Sequence, residues 1–336
     1  MQSTRRKFIK QSAQASMAMG LSTLPFPSFA NTKADPIKIG IIGLDTSHSP
    51  AFTKLFNSGT SIEGFKVVAA YPMGVNDTQK DKENIQKYTQ QVKELGVEIV
   101  DSIDSVLKKV DVVLLETNDG RPHLEQAREV FKSGKPVFID KPVANSLQDV
   151  VTTYKEAAKN NIPMFSASSL RYMKTAVAVR YENKIGTVLG ADTYSPAELK
   201  PQHPDLFYYG VHGVEILFTV MGAGCESVTR IQTPDTDIVV GKWKDGRVGT
   251  FRGTRTGKHE YGGTAYGKDG NLSLGPYDGY EGLVVKIAEF FKTKTSPIDP
   301  RETLEIYAFM EAADESKRQG GSSVRIDDVL KKAGYK

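Results

Sequence analysis

The chain has 336 residues, with 44 lysines and arginines against 40 acidic residues and a formal charge of +4. Arg5, Arg6, Lys7 and Lys10 carry that excess before any acidic residue is met, which removes the charge argument for nucleic-acid or anionic-membrane partners. The single cysteine, Cys225, excludes an intramolecular disulfide, and past residue 30 nothing is apolar for the roughly 18 residues of a membrane span.

Residues 1–30 read as a twin-arginine signal peptide. Ser3-Thr4-Arg5-Arg6-Lys7-Phe8-Ile9-Lys10 opens it, a weakly apolar stretch follows, and Ser28-Phe29-Ala30 supplies small residues at a cleavage site. The expectation is export through the twin-arginine machinery to the periplasm or an equivalent compartment, with no membrane anchor once the signal is removed. What remains is long enough for two ordinary domains.

Residues 35–168 alternate apolar runs (37–42, 67–70, 97–100, 110–115, 136–139, 163–165) with amphipathic stretches such as 124–132 and 147–160. That alternation predicts a Rossmann-like α/β domain with a parallel sheet, whose ligands bind at the carboxyl ends of the strands. The loops there carry Asp45–His48, 71–73, 117–123, Asp140-Lys141-Pro142 and 166–172. The first of them is the place of a Gly-x-Gly-x-x-Gly phosphate loop, but Gly43-Leu44-Asp45-Thr46-Ser47-His48 keeps only its first glycine. Asp45 puts a carboxylate where two phosphates belong. It reads equally as a cap of the following helix, with His48 covering the first turn.

Residues 169–336 predict an α+β domain with an open, mainly antiparallel sheet. Strand 186–194 and helix 206–221 lead it, strands 239–243 and 248–252 form a hairpin through Lys244-Asp245-Gly246-Arg247, and helices 280–292 and 301–317 close it. The exposed face of such a sheet suggests a homo-oligomer. His212 and Glu215, at i and i+3 on one helix face, suit a histidine base with a carboxylate beside it.

The strand ending in Asp140-Lys141-Pro142, preceded by Gly134-Lys135-Pro136-Val137 and followed by Gly210-Val211-His212, resembles the Gfo/Idh/MocA oxidoreductases over nearly the whole chain after Asp35. The resemblance implies oxidation of a sugar or cyclitol hydroxyl with NAD or NADP. It assigns Lys141 to orienting the substrate and His212 to the hydroxyl proton. Tyr208 stands where the family has an aspartate four residues before that histidine, and joins the catalytic set. Gly43, Asp45, Ser47, His48, Asn118 and Asp140 form the expected cofactor edge. Arg171, Tyr172, Glu215 and His259 form the expected substrate pocket, for a small carbohydrate. No metal set is indicated.

Two departures concern the cofactor. Besides Asp45, the second strand ends Ala69-Ala70-Tyr71-Pro72, without an acid for a ribose hydroxyl or an arginine for a 2′-phosphate. Two rivals therefore stand beside the exported oxidoreductase with a tightly held cofactor. One is a redox-free lyase, hydratase or epimerase using Asp45, His48, Lys141 and His212. The other is a sugar-binding protein with a decayed site.

Overall fold

The computed structural model describes residues 35–59 and 62–335, so the signal segment lies outside the described residues. The first sheet is built from β1 (Ile37–Ile42), β2 (Phe65–Tyr71), β3 (Glu98–Ile99), β4 (Val112–Leu115), β5 (Val137–Ile139) and β6 (Met164–Phe165). Its order is β3-β2-β1-β4-β5-β6 and every pairing is parallel, the arrangement of a Rossmann fold. The near-continuous apolar runs of β1 and β4 are explained by helices on both faces, which leave β4 buried at every residue. Between the strands lie α1 (His48–Asn57), α2 (Gln79–Glu94), α3 (Ile103–Leu107), α4 (His123–Lys132) and α5 (Leu147–Lys159).

Helix starts follow local chemistry. Ser146 caps α5 by accepting the Asp149 N–H, and Thr78 with Asp81 forms a reciprocal capping box on α2. Gly43, at the end of β1, has φ +101°, and a Cβ there would come within 2.3 Å of the Thr117 backbone nitrogen. Only glycine meets both conditions.

After a 3₁₀ turn (Ser169–Tyr172) and α6 (Lys174–Arg180), the chain enters a seven-stranded sheet. It comprises β7 (Val188–Pro196), β8 (Cys225–Gln232), β9 (Thr236–Trp243), β10 (Val248–Thr254), β11 (Gly262–Gly267), β12 (Gly270–Leu274) and β13 (Val324–Arg325). The order is β12-β11-β7-β10-β9-β8-β13. Only the β7–β10 pair is parallel, and β9–β10 is the expected hairpin. Helix α7 (Val211–Met221) is buried at every position, and α9 (Pro300–Arg318) shares its core with Phe207, Phe218 and Trp243. Helix α8 (Glu281–Thr293) crosses back to the first domain. Its Leu283, Ile287 and Phe290 pack with Ile39, Phe52, Phe138 and Phe165. The short α10 (Ile326–Lys332) ends the fold.

Candidate active site

β5 ends at Ile139, and Asp140 and Lys141 follow it, both buried. Asp140 Oδ1 accepts the Lys141 backbone N–H at 2.8 Å, and its Oδ2 lies 2.5 Å from Nδ1 of His48, the first residue of α1. The imidazole is fixed between rings, stacked on Phe52 at 5.4 Å and edge-on to Tyr280 at 4.9 Å. Burial alone drives the Asp140 carboxyl upward, but the His48 charge and hydrogen bond, with Lys141, outweigh it and hold Asp140 below the usual carboxylate range. Lys141 Nζ has no hydrogen-bond or ion-pair partner among the described residues and is not enclosed.

The second domain brings His212 to the same place on α7. Its Nδ1 is 2.8 Å from Ser168 Oγ. Burial first, then the positive charges of Lys141 and His48, push His212 well below the ordinary histidine range, with Asp140 pulling weakly the other way. Lys141, His48, Asp140 and His212 therefore feel one another across the domain boundary, as the sequence positions of Lys141 and His212 suggest.

The expected carboxylate support for His212 is not there. Glu215 is turned into the core, where its carboxylate takes the Arg171 Nε–H at 2.5 Å, and Arg171 Nη1 donates to Glu302 at 2.6 Å. Arg171 is only 1% exposed. Arg171 and Glu215 are therefore a buried ion pair rather than substrate ligands, since both are enclosed, Arg171 Nη2 included, and no sugar reaches them. Tyr172 is also corrected. It packs with Leu283 and Val284 in the core, its hydroxyl is enclosed without a partner, and burial pushes its pKa up. His259 stands exposed between β10 and β11 and makes no hydrogen bond or ring contact among the described residues.

Tyr208 stays at the site. Asn118 Nδ2 lies 3.5 Å from its hydroxyl, and its ring meets those of His203 and Tyr209. From there a chain of ring contacts runs Tyr209–His212–Tyr261–Tyr277–Tyr280–His48, each pair within 6.2 Å. Tyrosines 209, 261, 277 and 280 are absent from the expected site. Their only signals are a Tyr-Tyr pair before Gly210 and an i, i+3 pair of tyrosines where α8 begins.

On the cofactor side, Asp45 does not cap α1, whose cap position is Ser47, an exposed residue with no side-chain capping bond. Instead Asp45 braces three loops. Its Oδ1 accepts the Asn118 N–H at 2.8 Å and its Oδ2 the Val75 N–H at 3.3 Å, and a Cβ on Gly74 would lie 2.7 Å from its own. Burial raises this carboxyl to about 7 despite those two donors. Glu116, directly after β4, is fully buried with neither oxygen bonded, and burial followed by the Asp140 charge drives it well above the carboxylate range. Its signal is an acid placed directly after an all-apolar strand. Beyond β2 lies an open groove of about 440 Å³ lined by Tyr71, Met73, Asn76 and Lys82, with no carboxylate in it.

These residues fit a dinucleotide. Gly43 supplies the tight turn, the Thr46 and Ser47 N–H groups at the start of α1 are uncommitted among the described residues, and the groove follows β2. Asp45 is the carboxyl that opposes the phosphates there, and burial raises it to about 7. Among the described residues no three His, Cys, Asp or Glu side chains are grouped to hold a metal.

Residues 37–167 match the family model described as oxidoreductase family, NAD-binding Rossmann fold. Over that stretch the chain is similar to the Gfo/Idh/MocA family. Both domains recur in solved structures. One is scyllo-inositol dehydrogenase from Lactobacillus casei with bound NAD(H) and scyllo-inositol, 17% identical, with a TM-score of 0.70 over 87% of this chain and 100% of that one. Another is myo-inositol dehydrogenase from Lactobacillus casei with NAD(H) and myo-inositol, 15% identical, with a TM-score of 0.67 over 86% and 96%. At these identities the likeness establishes a shared fold. No curated protein matches the sequence.

Proposed function

We propose that this protein oxidises a hydroxyl of a cyclic polyol or sugar with NAD or NADP, and that it does so after twin-arginine export with the cofactor kept bound between turnovers. The observation that carries the reading is the convergence of Lys141, His48–Asp140 and His212 inside a ring of tyrosines, at the ligand-binding edge of a Gfo/Idh/MocA Rossmann domain. Tyrosine faces cover the C–H surfaces of a sugar ring while their hydroxyls meet its polar rim. The inositols and NAD(H) in the two similar dehydrogenases support the same substrate class.

When bound, the nicotinamide supplies the hydride acceptor. The chain's own residues do the rest. The Lys141 ammonium donates to the reacting oxygen and stabilises negative charge developing on it. His212 and His48 present their outer nitrogens, and the tyrosines exclude water. An exported enzyme meets no free dinucleotide pool, which is the reason for a retained cofactor and for a closed cycle in which a second sugar takes the hydride back. The expected self-association belongs to the same proposal, with Tyr194, Ile231, Val248 and Tyr266 exposed on one face of the second sheet.

The Asp45 carboxylate favours the redox-free alternative, and one measurement separates the two. Protein purified before export is denatured, and the supernatant is searched by mass spectrometry for NAD and NADP. Stoichiometric dinucleotide, reduced when scyllo-inositol or a related polyol is added to the native protein, is the expected result. No dinucleotide, with no binding of added NAD(P)H, refutes the oxidoreductase.

A further inference from the structure

The geometry points to His48, held by Asp140, rather than His212 as the base that takes the substrate's hydroxyl proton, an assignment that rests on the oxidoreductase reading above. Asp140 Oδ1 already accepts the Lys141 backbone N–H, so the carboxylate faces both neighbours as an acceptor, and the 2.5 Å contact is a donation from His48 Nδ1–H to Asp140 Oδ2. That fixes the tautomer. When the ring is neutral its lone pair sits on Nε2, which has no partner among the described residues and is not enclosed. The carboxylate also stabilises the imidazolium that forms when Nε2 takes a proton. The charged and titratable groups around this ring enter that balance: Asp140 bonded to it, Lys141 next to Asp140 in the chain, Glu116 coupled to Asp140, His212 from the second domain, and Tyr280 at its edge.

His212 is set up for the opposite role. The Ser168 oxygen already accepts the Leu170 N–H at 3.3 Å, and its own proton has His212 Nδ1 as its partner at 2.8 Å. With Nδ1 accepting, the ring proton of His212 sits on Nε2, and the residue donates to the substrate oxygen. Glu215, the one carboxylate on its helix face, is committed to Arg171. Burial, Lys141 and His48 all oppose a positive charge on His212. The chain thus lacks an aspartate at position 208 and carries its carboxylate–histidine pair in the first domain, between residues 92 positions apart.

The step balances on these groups. The substrate O–H breaks and its proton goes to His48 Nε2, while the O–H electron pair becomes the second carbon–oxygen bond. With a nicotinamide bound, the carbinol C–H pair would leave as hydride to it. His212 Nε2–H and the Lys141 ammonium hold the oxygen throughout.

Two experiments decide the assignment. Multiple-bond ¹⁵N–¹H spectra of the purified holoprotein report each histidine's tautomer without turnover. The expected result is Nδ1–H for His48 and Nε2–H for His212, and an Nε2–H tautomer for His48 overturns the proposal. In the active enzyme, His48→Gln is expected to lower kcat by about 10²–10⁴-fold and to remove the acid limb of the pH profile, with bound dinucleotide retained. Asp140→Asn offers Nδ1 a donor, reverses the tautomer and lowers kcat at least about 10²-fold. His212→Gln lowers kcat/KM but keeps the acid limb. A limb that persists in His48→Gln and disappears in His212→Gln returns the base to His212. Absence of any turnover by dinucleotide-loaded wild type removes the oxidoreductase reading itself, whereas the wrong tautomer in an active enzyme removes this assignment alone.

Discussion

Replacing Asp45 by Asn tests the electrostatics of the phosphate loop. The folded protein raises this carboxyl from 3.8 to about 7, so it binds the Asp45 proton more tightly than the unfolded chain does. The associated stability is complete below the unfolded pKa and is lost as pH rises through the folded one. A shift of that size is worth about 4 kcal/mol at roughly 1.4 kcal/mol per unit, of which about 3 kcal/mol is lost between pH 5 and pH 9. The asparagine keeps an acceptor for the Asn118 N–H but sets an amide donor against the Val75 N–H, a penalty of about 1 kcal/mol that does not change with pH. From pH 5 to pH 9 the variant should therefore gain on wild type by about 3 kcal/mol, or roughly 6 °C in Tm for a chain of this size. Thermal unfolding of both proteins at a series of pH values reads that widening directly, and titrating groups not coupled to Asp45 cancel in the difference. A gap that stays flat across the range refutes the account of Asp45 as a buried, weakly compensated acid.

Two further substitutions separate core from site. Glu116→Gln removes a buried carboxyl whose folded pKa lies well above its unfolded value, so wild type loses stability as pH climbs out of the acid range and the variant should lose less. Equal slopes in parallel melts would mean that Glu116 is not the enclosed, unbonded acid described. Arg171→Met leaves Glu215 with no counter-charge and Glu302 with Arg180 alone, which should cost about 3 kcal/mol or more in unfolding free energy, while scyllo-inositol affinity of the folded fraction is unchanged. Lost affinity at full stability would restore Arg171 to the substrate pocket.

The fold was legible because its signals are local. Apolar runs such as 37–42 and 110–115, short and alternating with amphipathic stretches, suit strands covered on both faces, and the turn at Asp245-Gly246 gives the hairpin. The site was legible in part. Lys141 ends a strand and His212 starts a helix, so topology alone brings them together. The Arg171–Glu215 pair shows where the reasoning fails. Helical spacing shows that Glu215 shares a face with His212, but not that an arginine 44 residues earlier is buried against that face. The tyrosine ring was hidden for the same reason, because its members come from the loop before α7, the start of β11 and the N-terminus of α8. Asp45 misled in a different way. Its type and position suit a helix cap, yet its carboxyl is taken by N–H groups from two other loops.

Three carboxyls, Asp45, Glu116 and Asp140, follow β1, β4 and β5 on one sheet edge, and their environments drive them apart. Asp140 is held low by His48 and Lys141, Asp45 is raised to about 7, and Glu116 is driven far above its usual range, in part by the Asp140 charge. Where neighbouring acids are separated in this way, each takes a distinct role. Below pH 7 the full negative charges on this edge are that of Asp140, compensated by Lys141 and available to orient His48, and that of Asp119 after β4, paired with Arg121. A pyrophosphate at the start of α1 then meets a mostly neutral Asp45. Above pH 7 the loop acquires a further negative charge directed against it. The dinucleotide affinity of wild type should therefore fall as pH passes through about 7, and that of the Asp45→Asn variant should not. Dinucleotide titrations of stripped protein at pH 6 and pH 8.5 distinguish the two, and equal pH dependence in both would place the pyrophosphate away from Asp45.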